Sequence, residues 1–211
     1  MLTEPVSTTV DRVAERLGVA GSDLMAAVGE VAQAWGVTGD LGPLELGLVS
    51  EAEWAADVAK HLQSRGYPCL DLDHFGERYW FPGRERAEEW IDVLSRWAVD
   101  TDVEVVLLTN VASEWEDLML AMLPESGEIF TEIIVSSRIG ASKPNRSAYR
   151  AVVERFPDAC GFIFVDDSPV NVQAACEMGW EALLFTSAAD VAPLVEDAVD
   201  RMRTAVRGPA D

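Results

Sequence analysis

From Gly83 onward the chain alternates short apolar runs with amphipathic segments, and this alternation restricts the possible folds more than any other feature. The pattern predicts a helix over 84–98, a strand over 103–108, a helix over 112–122 and a strand over 132–135. It continues with a helix over 145–155, a strand over 161–165, a helix over 169–178, a strand over 181–185 and an acidic helix from 189 to about 206. Strands and helices that alternate through short connections argue for a parallel sheet covered by helices on both faces. The run Phe162-Ile163-Phe164-Val165 fits such a doubly covered strand, being apolar throughout and rich in aromatic and β-branched residues. It ends in Asp166-Asp167, with Asn171 four residues on; Leu107-Leu108 ends in Thr109-Asn110, and Ser142-Lys143-Pro144 follows the 132–135 strand. Open α/β sheets place their sites at strand ends of this kind.

The first eighty residues read differently. Val6, Val10, Val13, Ala14 and Leu17 recur at helical spacing, with Gly18 as a stop. A second helix runs from Ser22, the expected N-cap, through Leu24, Val28 and Val31 to Gly36, and Gly39 to Pro43 marks a loop. Ser50-Glu51-Ala52-Glu53 is a capping box that opens a third helix to about Arg65. The division expected is a helical region over 1–80 and an α/β core over 81–211.

At 211 residues the chain is long enough to bury a substantial core. Its 16 basic and 37 acidic residues give a formal charge of −21, which disfavours nucleic acid and anionic membrane surfaces as partners. Cys69, Cys160 and Cys176 are odd in number and widely spaced, so neither a disulfide framework nor a metal cluster is expected. No apolar run reaches membrane-spanning length, and a cytoplasmic setting is the default expectation.

The strand ends suggest chemistry. The Thr109 hydroxyl and neighbouring backbone N–H groups can donate to an anionic oxygen, and Lys143, one of two lysines with Lys60, adds a compact positive charge. Thr109, Asn110, Lys143 and Asn171 are therefore the candidate binders of a phosphate or sulfate group. Asp166 and Asp167, with Lys143, are the candidate catalytic residues, one carboxylate acting as base or orienting group. Arg138 is expected to pair with surface carboxylates, His61 and His74 to be packed or exposed, and most of the seven tryptophans to be core.

In order and spacing these residues resemble the haloacid dehalogenase superfamily of phosphatases and related transferases. Thr109-Asn110 looks like its second motif, Lys143 its third and Asp166-Asp167 its fourth, and the likeness extends through Val135–Arg150 and Asp166–Gly179. The resemblance implies a Rossmann-like parallel sheet with a small helical cap that selects the substrate. It also implies Mg²⁺ held in part by Asp166 and Asp167, weakly here, because the principal Asp of the first motif has no clear counterpart. Met1-Leu2-Thr3-Glu4-Pro5 resembles family sequence just downstream of that motif. Asp71-Leu72-Asp73 has the right pattern, but Pro68 is a poor fit to the central strand that must precede it.

The first core strand is thus expected to be missing or replaced, by an upstream stretch, another segment, a partner protein or self-association. Three functions follow. The leading one is a small-molecule enzyme without the Asp nucleophile, which expels phosphate or sulfate by elimination or cyclisation in specialised metabolism. The others are an ordinary Mg²⁺-dependent phosphatase with a truncated start, and a catalytically inactive binding or regulatory subunit.

Overall fold

A computed structural model describes residues 2–37, 39–100, 102–124 and 129–207. The amino-terminal third is helical: α1 Val6–Leu17, α2 Gly21–Ala34, α3 Gly42–Glu45 and α4 Glu51–Ser64, followed by a π-helical turn Gly76–Trp80. The Ser50 capping box forms as expected, its hydroxyl accepting from the Glu53 N–H. Ser22 does not cap α2. That helix begins one residue before it, after Ala20, with no side-chain cap. Instead the Tyr67 hydroxyl accepts from the Ala20 N–H at 3.0 Å and donates to Asp23, so a tertiary contact replaces the local one.

The second part alternates as predicted, with the short helix α7 added: α5 Glu88–Ala98, β1 Val106–Thr109, α6 Glu116–Leu120, β2 Glu132–Val135, α7 Ser136–Ile139, α8 Arg146–Arg155, β3 Ile163–Asp166, α9 Pro169–Glu177, β4 Glu181–Leu184 and α10 Ala188–Arg207. β1 pairs with β2 in parallel and β3 with β4 in parallel. The boundaries shift for identifiable reasons. α5 starts at Glu88 rather than 84 because the opening segment pairs antiparallel with residues 85–87, through Glu4 N–H to Glu85 O and Ala87 N–H to Leu2 O. β1 starts at Val106 rather than 103, and ahead of it the Asp100 carboxylate accepts from the Asp102 N–H.

Apolar packing among the described residues divides into three clusters. One joins the helical third to the ends of β1 and β2 through Trp54, Phe75, Trp80, Val111, Trp115 and Val135. Its aromatic centre is fixed by a polar contact, since Glu51 Oε1 accepts from both Trp115 Nε1 at 2.7 Å and the Gly76 N–H at 2.6 Å. The other two lie on opposite sides of β3: Trp90, Val191 and Val195 pack with Ile163 and Val165, whereas Tyr149, Val152 and Ala175 pack with Phe164. A strand covered on both faces was the expectation for this run, and the alternation of contacts follows its two-residue period.

Among the described residues the two strand pairs do not join. Between them lies a cavity of about 1730 Å³, lined by Val106 to Thr109 on one side and Ile163 to Asp166 on the other. Consecutive residues of each strand border it, so it is the hydrogen-bonding edge of each strand that faces the space, not one side-chain face. Among the described residues, no helix is long and apolar enough to cross a membrane.

Candidate active site

The carboxyl ends of β1 and β3 meet through Lys143. Its backbone is held by Asn110, whose Oδ1 accepts from the Lys143 N–H and whose Nδ2 donates to the Lys143 carbonyl, both at 2.9 Å. Its ammonium then reaches across to Asp166 Oδ2 at 2.7 Å, with both side chains almost fully buried. The other Asp166 oxygen accepts from the Ser168 N–H and from Asn171 Nδ2, each at 2.9 Å. Tyr149, fully buried, donates its hydroxyl to the Asn171 carbonyl at 2.8 Å and fixes the first turn of α9 from below.

This network redistributes the expected roles. All six predicted residues line this cavity. Asn110, however, spends its side chain on positioning Lys143, and Asn171 spends its amide on Asp166. Neither offers its side chain to an anion. Asp166 is likewise committed: burial pushes its carboxyl up, but the Lys143 charge and the hydrogen bonds from Lys143, Asn171 and Ser168 outweigh that and hold it below the usual carboxylate range. A group so held is an anchor for Lys143 and a poor base. Asp167 is exposed at the cavity rim, and Thr109 lies half-buried at the end of β1.

One residue that pattern reading missed completes the site. Glu45, the last residue of α3, lines the same cavity and accepts from Asn110 Nδ2 at 3.1 Å. The buried Ser136 hydroxyl donates to the Glu45 carbonyl at 2.7 Å, tying α3 to the end of β2. Burial raises the Glu45 carboxyl to about 7 against the opposing effects of Lys143 and Asn110, with Asp40 adding to the rise. The available signal was an acid set between Leu44 and Leu46 in an apolar stretch.

Asp71 and Asp73 are not brought here. Asp71 is exposed in a turn, accepts from the Asp73 N–H and pairs with Arg78 at 2.8 Å, so this Asp-x-Asp is a local turn and not a strand end. Arg138 pairs with Glu116, as expected, and His61 pairs with Glu30 on the surface.

Magnesium requires about six oxygen ligands in near-octahedral geometry. Both Asp166 oxygens are already engaged, and the described residues contain no group of three His, Cys, Asp or Glu side chains able to hold an ion. The residues present do not by themselves fit a resident Mg²⁺.

No family model matches the sequence, and no curated protein does. Solved structures do match. The L-2-haloacid dehalogenase RSc1362 is similar over 93% of this chain and 94% of its own, with a TM-score of 0.65 and 13% identity. A predicted haloacid dehalogenase-like hydrolase of Porphyromonas gingivalis is similar over 94% and 92%, with a TM-score of 0.62 and 18% identity. A haloacid dehalogenase family enzyme of Bacteroides thetaiotaomicron, solved with magnesium and inorganic phosphate, is similar over 88% and 89%, with a TM-score of 0.60 and 17% identity. With the parallel strand pairs, the flanking helices and the Asn110–Lys143–Asp166 network in place, this chain has the haloacid dehalogenase-like fold.

Proposed function

We propose that the protein is an enzyme that cleaves a phosphate or sulfate group from a small organic substrate, with the departing anion received by Thr109 and Lys143. The observation that carries this reading is the placement of Lys143: a buried ammonium, held at both its backbone and its head, at the rim of a cavity where β1 and β3 end. Such a charge is pre-oriented and needs little reorganisation as negative charge develops on a leaving oxygen. Of the carboxylates there, Asp166 is neutralised by its pairing, so the route favoured is expulsion of the anion by elimination or ring closure, without a covalent aspartyl intermediate. The helical region over 1–80 would act as the cap that admits the substrate, in keeping with a cytoplasmic enzyme of specialised metabolism.

The test is phosphate and sulfate release from a panel of monoesters in ¹⁸O-labelled water. Elimination breaks the C–O bond and returns unlabelled phosphate with an unsaturated or cyclised product. Hydrolysis at phosphorus returns labelled phosphate and an alcohol. Release that is unchanged in Lys143→Ala would sink the anion-receiving role.

A second reading, hydrolysis, is favoured by the cavity itself. Its volume exceeds the roughly 300–1,000 Å³ of an ordinary ligand site, and two parallel strand edges border it. Unpaired buried backbone groups cost about 1–3 kcal/mol each, so an extended segment supplied by another polypeptide would be stabilised between β1 and β3. It would run parallel to both and carry its last residue to the level of Asp166. Strong slowing of amide exchange over Val106–Thr109 and Ile163–Asp166 in a complex, with labelled phosphate as the product only in that complex, is the result expected. Monomeric protein that turns over alone with unlabelled phosphate would reject it.

A further inference from the structure

Elimination from a phosphate or sulfate ester needs a base as well as a place for the anion, and the network around Lys143 removes Asp166 from that role. Glu45 has the complementary geometry. It lines the cavity from α3 and shares the Asn110 Nδ2 donor with the Lys143 carbonyl, and only one of its carboxylate oxygens is engaged among the described residues, by Asn110. Its backbone is fixed independently by Ser136, and α3 itself is anchored by the buried Pro43 and Leu44. A carboxylate with one oxygen oriented and the other open, beside a cationic anion receiver, is arranged for proton transfer to or from a bound molecule.

We infer that Glu45 is the catalytic base of this site, taking the proton from the substrate carbon next to the one that bears the ester oxygen. The step balances without a co-reactant. The C–H bond breaks toward the Glu45 oxygen, its electron pair becomes the new carbon–carbon double bond, and the C–O bond breaks with its pair leaving on the phosphate or sulfate beside Lys143. Glu45 then returns its proton to solvent. The substrate class follows: a phosphate or sulfate ester with an acidified C–H adjacent to the ester carbon, as next to a carbonyl or carboxylate. The charged groups acting on Glu45 are Lys143, which favours the carboxylate, and Asp40, which opposes it. Burial places its titration within the working range of a base at neutral pH.

This assignment rests on the anion-receiving reading above, and the two fail separately. Inorganic phosphate binding, measured calorimetrically, reports on Lys143, and Glu45→Gln is expected to leave it within about twofold while lowering ester turnover by roughly 10²–10⁴-fold. In the native protein kcat/KM is expected to rise with pH through about 7, and that limb to vanish in Glu45→Gln and return in part in Glu45→Asp. Independently of any substrate, the ¹³C carboxyl resonance of Glu45 should titrate near 7. Turnover and pH limb unchanged in Glu45→Gln, or a titration midpoint near 4.5, would overturn the assignment. Loss of the limb together with phosphate binding indifferent to Lys143→Ala would sustain Glu45 and sink the anion receiver.

Discussion

Glu45 also makes a prediction about stability that needs no substrate. A carboxyl that titrates near 7 in the folded chain and at 4.5 when unfolded holds a proton in the native state that the unfolded state has released. Between these values the folded form binds more protons, so stability falls as pH rises, at up to about 1.4 kcal/mol per pH unit. Integrated across the interval this is at most about 3 kcal/mol, and a residual solvent exposure of the side chain lowers it toward about 2 kcal/mol. The loss is fully developed above pH 7 and absent below the unfolded value. Glu45→Gln keeps the shape and an acceptor for Asn110 Nδ2 but cannot ionise. The variant should therefore match or slightly trail the native protein at pH 4 and exceed it by about 2 kcal/mol at pH 8. Urea unfolding followed by the fluorescence of the buried Trp54 and Trp115 measures both curves, and titrating groups not coupled to Glu45 cancel in their difference. Curves that stay parallel within about 0.5 kcal/mol from pH 4 to 8 would refute the raised titration and its cause.

Three further outcomes are expected. Lys143→Ala should cost about 3 kcal/mol in the same unfolding assay because it leaves Asp166 charged and buried, and adding Asp166→Asn should recover much of that loss. Asp166, held low by Lys143, Asn171 and Ser168, contributes stability that is present above the ordinary carboxylate range and is lost as pH falls through its folded value; Asp166→Asn should therefore flatten the acid limb of the stability curve. Gly76→Ala should destabilise by about 1–3 kcal/mol, visible in thermal unfolding and in a shifted tryptophan emission, because a Cβ there would lie 2.5 Å from Trp115 Nε1.

Local rules located most of the elements. The Ser50 capping box involves four consecutive residues and forms as written, and the parallel strands follow from apolar runs whose length and composition suit doubly covered strands. The same rules failed where a distant residue intervened. Ser22 is a good cap by type, yet Tyr67 satisfies the start of α2 from 47 residues away. The 84–98 helix loses its first turn to pairing with Leu2 to Glu4, an arrangement no local window contains.

The site divides in the same way. Strand-end position and residue chemistry were enough to single out Thr109, Asn110, Lys143, Asp166, Asp167 and Asn171, because a parallel sheet brings the carboxyl ends of its strands to one rim and every one of these residues lines the cavity there. What each does was decided by tertiary contacts. Hydrogen bonds from Asn110 and Asn171 are short-range and directional, so a few tenths of an ångström determine whether an amide faces a ligand or a neighbouring loop. Glu45 lies 65 residues from Asn110 and 98 from Lys143 in the chain, and its ionisation depends on burial that only the packed fold creates. The sequence determined which strand ends meet and what chemistry they bring; the tertiary structure determined which of those groups are committed to one another and which carboxylates keep an oxygen free at the cavity.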